Sequence, residues 1–417
     1  MSSIHPREAS VPPPRLQNRA GLLLALFLTG FGTFLNLYET QPLLPRFREL
    51  FHASELRVSL TVTAPVLAVA LMAPLIGLLA DAIGRKRVIV TAMLGLSVPT
   101  LLAATSTSLN QLIFWRFLQG LSIPGIIAVA MAYISEESPR HAVGSTMSVY
   151  VTGTVVGGFL GRFVAGWIVS RWEWHAAFLV LGAASFAGGL VTWALLPAST
   201  RFVRQNNAAA SLRSMRGHLR NPQLLATYFV GFNVLFSLVG AFTYVNFYLA
   251  DKPFWLGPAA LASVFGVYLI GAVVTPVAGR LLDRIGTRRG LVRAAAMAAC
   301  GSLLTLIPSL PVVVAGLAMA ASGAFACQSA ASSHVGKAAQ SARSSAAGLY
   351  VALYYLGGCA GSILPGFLWR QAGWAGCVVL IVAMQALTAC VAFHFWKEEP
   401  RDTRACKAAQ GGLESGV

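Results

Sequence analysis

Three charged residues, Glu39, Arg116 and Arg162, lie inside long apolar stretches of the sequence. A charged side chain is costly inside a membrane or an apolar core, so each of them is a functional candidate by default. A carboxylate can bind and release a proton, with an affinity that depends on its burial and on nearby positive charge. A guanidinium can bind a carboxylate or another anion through paired hydrogen bonds. The three residues therefore predict a site for proton binding, anion recognition or both.

Glu39 is the best candidate for a proton carrier, and Arg116 is a second candidate for a functional role. Each allows a structural alternative. Glu39 could be an interfacial residue that caps a helix end in water. Arg116 could be a purely structural tie to backbone carbonyl groups.

Arg162 interrupts a run of glycine and apolar residues, GTVVGGFLGRFVAGWI. It could tie to Glu39 or to carbonyl groups across a bundle, or it could contact an anionic or carbonyl-bearing substrate. It could also extend to the outer membrane surface, because a long arginine side chain can reach water from within the bilayer. Two arginines against one glutamate leave a positive excess, so we expect the pocket to tolerate anionic groups.

The composition indicates the environment that holds these charges. The chain has 417 residues, of which 56% are hydrophobic and only 11% charged, whereas soluble proteins carry about a quarter charged residues. The apolar residues form blocks of about 18 to 25, the length of a helix that crosses a bilayer. The net charge of +17 lies in short clusters between these blocks, which argues against a nucleic-acid surface. We predict an all-α polytopic membrane protein.

Twelve apolar blocks predict twelve transmembrane helices. Glu39, Arg116 and Arg162 then lie at similar heights, roughly 8 to 11 Å from the outer ends of predicted spans 1, 4 and 5. The predicted spans cover residues 20–44, 57–80, 87–105, 109–134, 141–169, 174–197, 223–249, 258–282, 290–308, 310–334, 341–369 and 374–396.

The longest internal polar stretch separates the sixth span from the seventh and predicts two halves. We assign residues 20–197 to an N-terminal six-helix bundle and 223–396 to a C-terminal one. Residues 198–222 form the predicted cytoplasmic linker. Residues 1–19 and 397–417 are predicted cytoplasmic tails, the first disordered.

The distribution of lysine and arginine predicts the orientation. With a cytoplasmic N-terminus, 23 of the 31 basic residues face the cytoplasm, six face the other side and two lie within spans. Basic residues concentrate on the cytoplasmic side of membrane proteins, so we expect both termini in the cytoplasm of a cell (inner) membrane protein. The first apolar run shows no signal-peptide cleavage pattern and is interpreted as the first span.

A loop sequence occurs twice, as GLLADAIGRKRVI from residue 77 and GRLLDRIGTRRGL from residue 279. Glycines allow a tight turn, and a carboxylate at a helix end can pair with nearby basic side chains. A gating clasp between helices or a simple cytoplasmic basic loop would both explain the pattern. The residues assigned to the gate are Gly77, Asp81, Gly84, Arg85, Lys86, Gly279, Asp283, Gly286 and Arg288.

The first of these loops closely resembles the G-x-L-a-D-r-x-G-r-K signature of the major facilitator superfamily, with Ala82 in place of a frequent basic residue. RFLQG, from Arg116, resembles the R-x-x-Q-G element of its proton-coupled members. YETQPLLPRF, from Tyr38, is similar to the Y-x-x-x-P-x-x-P ending of the first span in drug:proton antiporters. Where the antiporter motif of the fifth span has G-P, this chain has Gly161 followed by Arg162.

The resemblance covers nearly the whole chain and points to the twelve-span drug:H⁺ antiporter branch, close to the arabinose-efflux-permease-like group. It implies the major facilitator fold of two pseudo-symmetric six-helix bundles, and efflux driven by the proton gradient. It also implies that Arg116 is the partner of Glu39, and it adds Gln119 and Tyr38 to the candidate proton- and substrate-binding residues.

Small residues recur every fourth position in spans 5 and 11 and form one face of each helix. Such faces let helices pack closely. Tight packing between two halves that rock and ordinary helix packing are compatible explanations of the pattern. The C-terminal half carries no charge in the middle of its spans, so we expect it to supply apolar and aromatic substrate contacts. The packing or hinge residues are Gly153, Gly157, Gly161, Gly357, Gly361 and Pro365.

We therefore predict a secondary active transporter that works by alternating access, with small-molecule substrate, protons and the lipid bilayer as partners. Proton-coupled efflux is the leading hypothesis; an uptake symporter and a non-transporting membrane sensor are the alternatives. The sequence contains no nucleotide-binding loop, metal-ligand motif or catalytic constellation. We expect no enzyme activity, no metal, no cofactor and a monomer.

Overall fold

A computed structural model describes residues 19–139, 141–199, 216–270, 273–274, 277, 285–339 and 343–396. The predicted tails lie almost wholly outside the described residues, as does most of the predicted linker. The chain in the described ranges is helical, with a 3₁₀ turn at Gln41–Leu43. The α-helices are, in chain order, α1 (Arg19–Leu35), α2 (Leu44–Leu50), α3 (Glu55–Ile83), α4 (Arg85–Ala103), α5 (Leu109–Glu137), α6 (Val143–Val169), α7 (Trp174–Leu195), α8 (Pro222–Ala250), α9 (Pro258–Val264), α10 (Thr287–Leu304), α11 (Leu310–Ala338) and α12 (Arg343–Phe395).

Within the described residues, eight helices are long and apolar enough to cross a membrane. One of them is α12, which departs from helical geometry at Ala372 and Gly373, between predicted spans 11 and 12. Two shorter apolar helices, Arg19–Leu35 and Pro258–Ile270, fall within predicted spans 1 and 8. The described helices thus follow the order of the predicted spans.

The prediction of one continuous helix over 20–44 is wrong. Helix α1 ends at Leu35, and residues 36–40 form turns before the 3₁₀ segment and α2. Pro42 and Pro45 each stand in the first turn of a new helical segment, where the missing amide N–H of proline does no harm. Within a continuous helix the same prolines would remove hydrogen bonds. This break frees backbone carbonyl groups near Glu39 for other donors.

The predicted internal repeat is visible in the backbone of the two loop glycines. Gly84 (φ 94°, ψ 149°) precedes α4, and Gly286 (φ 87°, ψ 143°) precedes α10. Positive φ at this extended ψ is strained for any residue with a Cβ atom. The two loops therefore share a conformation that requires glycine.

The glycines of predicted span 5 pack α6 against α1. A Cβ atom added to Gly153, Gly157 or Gly161 would meet the backbone of Phe27, Phe31 or Leu35, respectively. Glycine at these positions therefore lets the two helix backbones touch.

The C-terminal half repeats this packing between α12 and α8. A Cβ atom on Gly357 or Gly361 would meet the backbone of Phe232 or Phe236, and Pro365 lies against Gly240 at the next turn. Both glycine faces therefore make ordinary helix contacts inside one half, and their role as hinge residues remains a prediction. A four-residue spacing shows that small residues share a face but not which helix lies against it.

At one end of the molecule, polar contacts join the N-terminal half (α1–α7) to the C-terminal half (α8–α12). Arg48 of α2 forms two hydrogen bonds with Asp251, at the end of α8, of 2.7 and 3.0 Å. Gln41 Nε2 donates to Thr243 Oγ1 of α8 at 3.3 Å. We call this the closed end, defined by Gln41, Arg48, Thr243 and Asp251.

Packing toward the same end supports the closure. The hydroxyls of Thr63 in α3 and Ser362 in α12 lie 2.7 Å apart. Gly166, near the end of α6, lies against Pro258 and Ala262 of α9, where any larger residue would overlap them. The two halves are thus held together at the end that carries the α1–α3 and α8–α9 connections.

Candidate functional site

The break after α1 places the carboxylate of Glu39 inside the N-terminal half. Glu39 is only 1% exposed, and its Oε1 accepts a hydrogen bond from Arg116 Nη1 at 2.5 Å. Arg116, from the middle of α5, is fully buried. The structure thus brings the candidate carboxylate and the candidate partner into one ion pair, and the interpretation of Glu39 as a helix cap in water is wrong.

Arg116 also binds the carbonyl groups that the break exposes. Its Nη1 donates to Asn36 O and its Nη2 to Leu37 O, both at 2.7 Å, and its Nε donates to Thr61 O of α3 at 2.9 Å. The arginine therefore ties α1, α3 and α5 together. The structural tie and the partner of Glu39, treated as alternatives from the sequence, are the same side chain.

Gln119 holds the other side of the guanidinium. Its Oε1 accepts from Arg116 Nη1 at 2.6 Å, and its Nε2 donates to Thr100 Oγ1 of α4 at 2.7 Å. At Gly120, an added Cβ atom would overlap the backbone of Pro65 in α3, so glycine here lets α5 approach α3 closely. The R-x-x-Q-G spacing thus combines one buried hydrogen-bonded pair with one close helix contact.

Asn36 completes what we call the Arg116 cluster: Asn36, Glu39, Thr100, Arg116 and Gln119. Its Nδ2 donates to Gly32 O at 2.7 Å and to Ser185 Oγ of α7 at 2.6 Å. Every member is no more than 1% exposed. The cluster is therefore shielded from bulk water. Charge–charge interactions are stronger in such a buried site than in water.

Two atoms of this cluster, Asn36 Oδ1 and Glu39 Oε2, are buried without a hydrogen-bond partner among the described residues. A buried polar atom without a partner is unusual and calls for an explanation. A protonated carboxyl carries one O–H donor, and Oε2 is the oxygen of Glu39 at which a proton meets no competing hydrogen bond.

Arg162 lies elsewhere, between the two halves. It is 5% exposed; its Nε donates to Gln41 Oε1 at 2.8 Å, and its Nη1 donates to Gly158 O of its own helix at 2.5 Å. The side chain does not extend to the outer surface. It also makes no hydrogen bond or ion pair with Glu39 among the described residues. The extension to the outer surface and the tie to Glu39 are therefore wrong, whereas ties to oxygen acceptors are present, at Gly158 O of its own helix and at the Gln41 amide.

Three aromatic rings surround the Arg162 guanidinium. Its Cζ lies 4.9 Å from the ring centroid of Tyr38, 4.8 Å from that of Phe265 and 5.1 Å from that of Tyr268. Tyr38 belongs to the N-terminal half, and Phe265 and Tyr268 belong to the C-terminal half. We call Tyr38, Gln41, Arg162, Phe265 and Tyr268 the Arg162 cluster.

The predicted group of Glu39, Arg116 and Arg162 is thus divided between two neighbouring clusters. Tyr38 and Glu39 are consecutive, yet the Tyr38 ring contacts Arg162 while the Glu39 carboxylate binds Arg116. The non-helical backbone at residues 36–40 sends the two side chains in different directions. The residues that link the clusters are therefore those of the broken first span.

The C-terminal half contains a cluster of tyrosines, and the expectation that it supplies substrate contacts remains a prediction. Tyr350 donates to Gln328 Oε1 at 2.9 Å and stacks near Tyr354, at 6.1 Å between ring centroids, and Tyr354 packs edge-on against Tyr355 at 5.4 Å. Tyr244, in contrast, donates to the Ser362 carbonyl at 2.9 Å. That contact joins α8 to α12 and is packing.

The closed end contains an ion pair that was not predicted from the sequence, in which Arg48 contributed only to the basic-residue bias. Arg48 binds Asp251 of the other half and also Glu55, the latter at 3.2 Å. Its hydrogen bonds to Asp251 hold the pKa of Arg48 above its ordinary value, so this guanidinium stays charged. Nothing in the spacing of these residues indicated that they meet.

The predicted gating loops lie at the opposite end. Arg85 forms a two-pronged salt bridge with Glu136 of α5, at 2.9 and 3.2 Å, and Arg288 lies over the Phe393 ring at 4.1 Å. Gly77 lies within α3 and Lys86 in the first turn of α4. The side chain of Asp81 lies outside the described residues, as do Gly279 and Asp283. The role of these loops as a gate remains a prediction.

Comparison with known proteins gives close relatives among transporters. The chain is 34% identical to the inner membrane transport protein YnfM of Escherichia coli over 364 residues, 87% of each protein. It is 29% identical to the multidrug resistance protein MdtG of Klebsiella pneumoniae over 311 residues, 72% of this chain and 73% of MdtG.

The fold also resembles that of a transporter of known structure. A crystal structure of a bacterial homologue of the human lysosomal transporter Spinster, in an inward-facing and unoccupied conformation, superimposes with a TM-score of 0.75 at 18% identity. That match covers 90% of this chain and 96% of the other. The sequence model of the Major Facilitator Superfamily matches residues 22–266 and 254–414. The chain is therefore a multi-pass membrane protein that belongs to the Major Facilitator Superfamily of transporters.

Proposed function

We propose that this transporter exports a small organic solute in exchange for protons, with Glu39 as the proton carrier and Arg116 as its partner. The observation that carries the proposal is the buried Glu39–Arg116 ion pair, in which Glu39 Oε2 has no partner among the described residues. The export direction follows the resemblance to drug:proton antiporters and the similarity to MdtG, a multidrug resistance protein. The topology follows the basic residues: both termini in the cytoplasm, and the protein in the inner membrane.

Protonation of Glu39 changes one interaction and leaves others in place. A proton removes the negative charge and weakens the attraction to Arg116. Arg116 keeps its hydrogen bonds to the carbonyls of Asn36, Leu37 and Thr61, so the buried cation remains solvated by the backbone. Titration therefore changes the strength of the tie between the end of α1 and α5 without leaving a charge unsolvated.

The connection from Glu39 to the interface between the halves is short. Glu39 follows Tyr38, which lies under Arg162, and precedes Gln41 by two residues. Gln41 binds both Arg162 and Thr243 of the other half. A change in the position of residues 36–41 is therefore transmitted directly to contacts that hold the closed end together. This segment is the bistable element that an alternating-access cycle requires.

The closed end defines the state described. With the predicted topology it faces away from the cytoplasm, so we assign this arrangement to a state in which the outer side is shut. Export then requires the contacts at Arg48–Asp251 and Gln41–Thr243 to open. The Arg85–Glu136 salt bridge at the opposite end lies within one half and can persist through the cycle.

A growth-inhibition panel tests the function. A strain that lacks its main efflux pumps and expresses this protein should tolerate some toxic organic compounds better than a vector control. Glu39→Gln should abolish this tolerance, whereas Glu49→Gln should keep it, because Glu49 forms an exposed pair with Arg46. Tolerance that survives in Glu39→Gln would contradict the proton-carrier assignment.

Accumulation assays separate export from uptake. A compound found in the panel should accumulate less in expressing cells than in controls, and a protonophore should remove the difference. Greater accumulation in expressing cells, abolished by the protonophore, would instead identify an uptake symporter. No change in the movement of any compound in the panel would favour the sensor.

A further inference from the structure

The Arg162 cluster is not used by the proton pathway proposed above, and its chemistry points to a ligand. Arg162 is a buried cation that forms no ion pair with any described residue. Glu39, the carboxylate of the neighbouring Arg116 cluster, binds Arg116 and not Arg162. Removing one member of a buried pair is strongly destabilising because a buried charge is left uncompensated. A permanent site of this kind therefore favours occupation by an anion.

The guanidinium is held so that one edge is free. Nε binds Gln41 and Nη1 binds Gly158 O, whereas Nη2 makes no hydrogen bond to any residue in the described ranges. Gln41 is itself fixed by Thr243 at 3.3 Å. Gln41 is thus a positioning residue that sets the orientation of the Arg162 fork.

Tyr38 offers a second donor in the same cluster. Its ring lies against the Arg162 guanidinium, and its hydroxyl is buried without a hydrogen-bond partner among the described residues. Buried hydroxyl groups are nearly always satisfied. An ammonium can donate to the Tyr38 hydroxyl but finds no acceptor on the Arg162 guanidinium, and an apolar ligand satisfies neither group, whereas an anionic oxygen accepts from both.

The surroundings favour a flat ligand body. Phe265 and Tyr268 flank the guanidinium, and the partly exposed rings of Tyr268 and Phe325, 5.7 Å apart between centroids, form an aromatic wall. Phe265 and Phe242 are each 1% exposed and belong to the core that supports this wall. Aromatic side chains pack well against other flat π-systems by offset or edge-to-face contacts. A ligand with an anionic group at Arg162 would lay its body along this wall.

We propose that the Arg162 cluster is the substrate-recognition site for flat aromatic carboxylates, with the carboxylate bound by Arg162 Nη2 and the Tyr38 hydroxyl. The cluster takes residues from both halves, so a bound anion touches elements that must separate during the cycle. This proposal rests on the proposed transport function but not on the role of Glu39. The argument uses the position of the Glu39 carboxylate but not its titration, so the two assignments can fail separately.

Equilibrium binding to the purified full-length protein tests the proposal without transport. Three matched pairs serve as probes: benzoate and benzamide, 4-hydroxybenzoate and its amide, and indole-3-acetate and indole-3-acetamide. We expect at least one acid to bind at least tenfold more tightly than its amide. Arg162→Gln should abolish this preference, Arg162→Lys should retain part of it, and Arg171→Gln, at an exposed arginine near the end of α6, should leave it unchanged.

The outcomes separate the assignments. Equal binding of acid and amide in all three pairs, or no binding of any acid, would overturn the proposal and identify the rings as a structural cation–π clamp for Arg162. A preference for acids that survives in Arg162→Gln would place the anion elsewhere. Glu39→Gln should still prefer the acid over its amide. If this variant also loses proton-coupled export, both assignments stand. If it keeps proton-coupled export, only the proton-carrier assignment fails. The purified Arg162 variants should elute as the native species in gel filtration, which excludes unfolding as the cause of lost binding.

Discussion

The Glu39 carboxylate and the Arg116 guanidinium form an ion pair in which the two side chains are 1% and 0% exposed. Arg116 is also bound by three backbone carbonyls and by Gln119, whereas Glu39 has one unpartnered oxygen. The pair is therefore asymmetric. The cation is fixed by the fold, and the anion is the member free to change its protonation state.

The Gln119 amide should be required for this asymmetry. Gln119→Leu removes the acceptor for Arg116 and the donor for Thr100, which leaves buried polar atoms without partners. We expect a loss of about 1–3 kcal/mol in the free energy of unfolding, measured by chemical denaturation in detergent, together with weaker export. Gln371→Leu, at an exposed position, should change stability by less than about 0.5 kcal/mol. Equal effects of the two substitutions would contradict the assigned network.

Close packing of α6 on α1 should depend on glycine at position 157. Gly157→Ala places a Cβ atom against the backbone of Phe31, and overpacking of this kind costs about 1–3 kcal/mol. Gly188→Ala is the matched control, because a Cβ atom at Gly188 meets nothing within 4 Å. It should be neutral or stabilising by up to about 1 kcal/mol, since alanine favours the helix more than glycine does. The melting temperature of Gly157→Ala should therefore lie below the wild-type value, and that of Gly188→Ala should equal or exceed it. A melting temperature of Gly157→Ala at or above that of Gly188→Ala would contradict the assigned packing.

The Arg48–Asp251 contact should bias the equilibrium between the two access states. The pair is partly exposed, with side-chain exposures of 24% and 45%, so its contribution is about 1 kcal/mol or less. Arg48→Ala should then increase opening of the closed end by up to about fivefold. The measurement is the labelling rate of a cysteine at Thr63, in a cysteine-free background, by a membrane-impermeant maleimide.

Arg46→Ala provides the control for that experiment. Arg46 pairs with Glu49 on the same short helix, and both side chains are at least half exposed. Its removal should leave the labelling rate unchanged. A labelling rate for Arg48→Ala that equals the wild-type rate would show that the Arg48–Asp251 ion pair does not hold the halves together.

The sequence predicted much of the fold because membrane insertion imposes strong patterns. Span length and the repeated loop predicted the helix order, and Gly84 and Gly286 have the repeated conformation. The orientation predicted from the basic-residue bias remains a prediction. The break after Leu35 was missed because hydropathy does not register a loss of helical hydrogen bonds, although residues 36–42 include four polar side chains and a proline. Pro42 and Pro45 were the available signal, since neither can donate a backbone hydrogen bond.

The site could be predicted in part for a related reason. Charges in apolar segments identified Glu39, Arg116 and Arg162, and the R-x-x-Q-G spacing added Gln119. The spacing could not reveal that Arg162 faces Phe265 and Tyr268, because that contact depends on how the two halves meet. Gln41 was missed because the candidates were selected by charge or by family motif, and Gln41 is a neutral amide.

The most direct test of the central claim uses inverted membrane vesicles with an imposed inside-acid pH gradient and a compound identified in the growth panel. Adding the compound to vesicles with the wild-type protein should release protons, seen as a partial loss of the pH gradient, and should drive uptake of the compound into the vesicles. Glu39→Gln should bind the compound with similar affinity but produce neither proton release nor uptake against a gradient, while Glu49→Gln should behave as the wild type does. Proton-driven uptake that persists in Glu39→Gln would contradict the account.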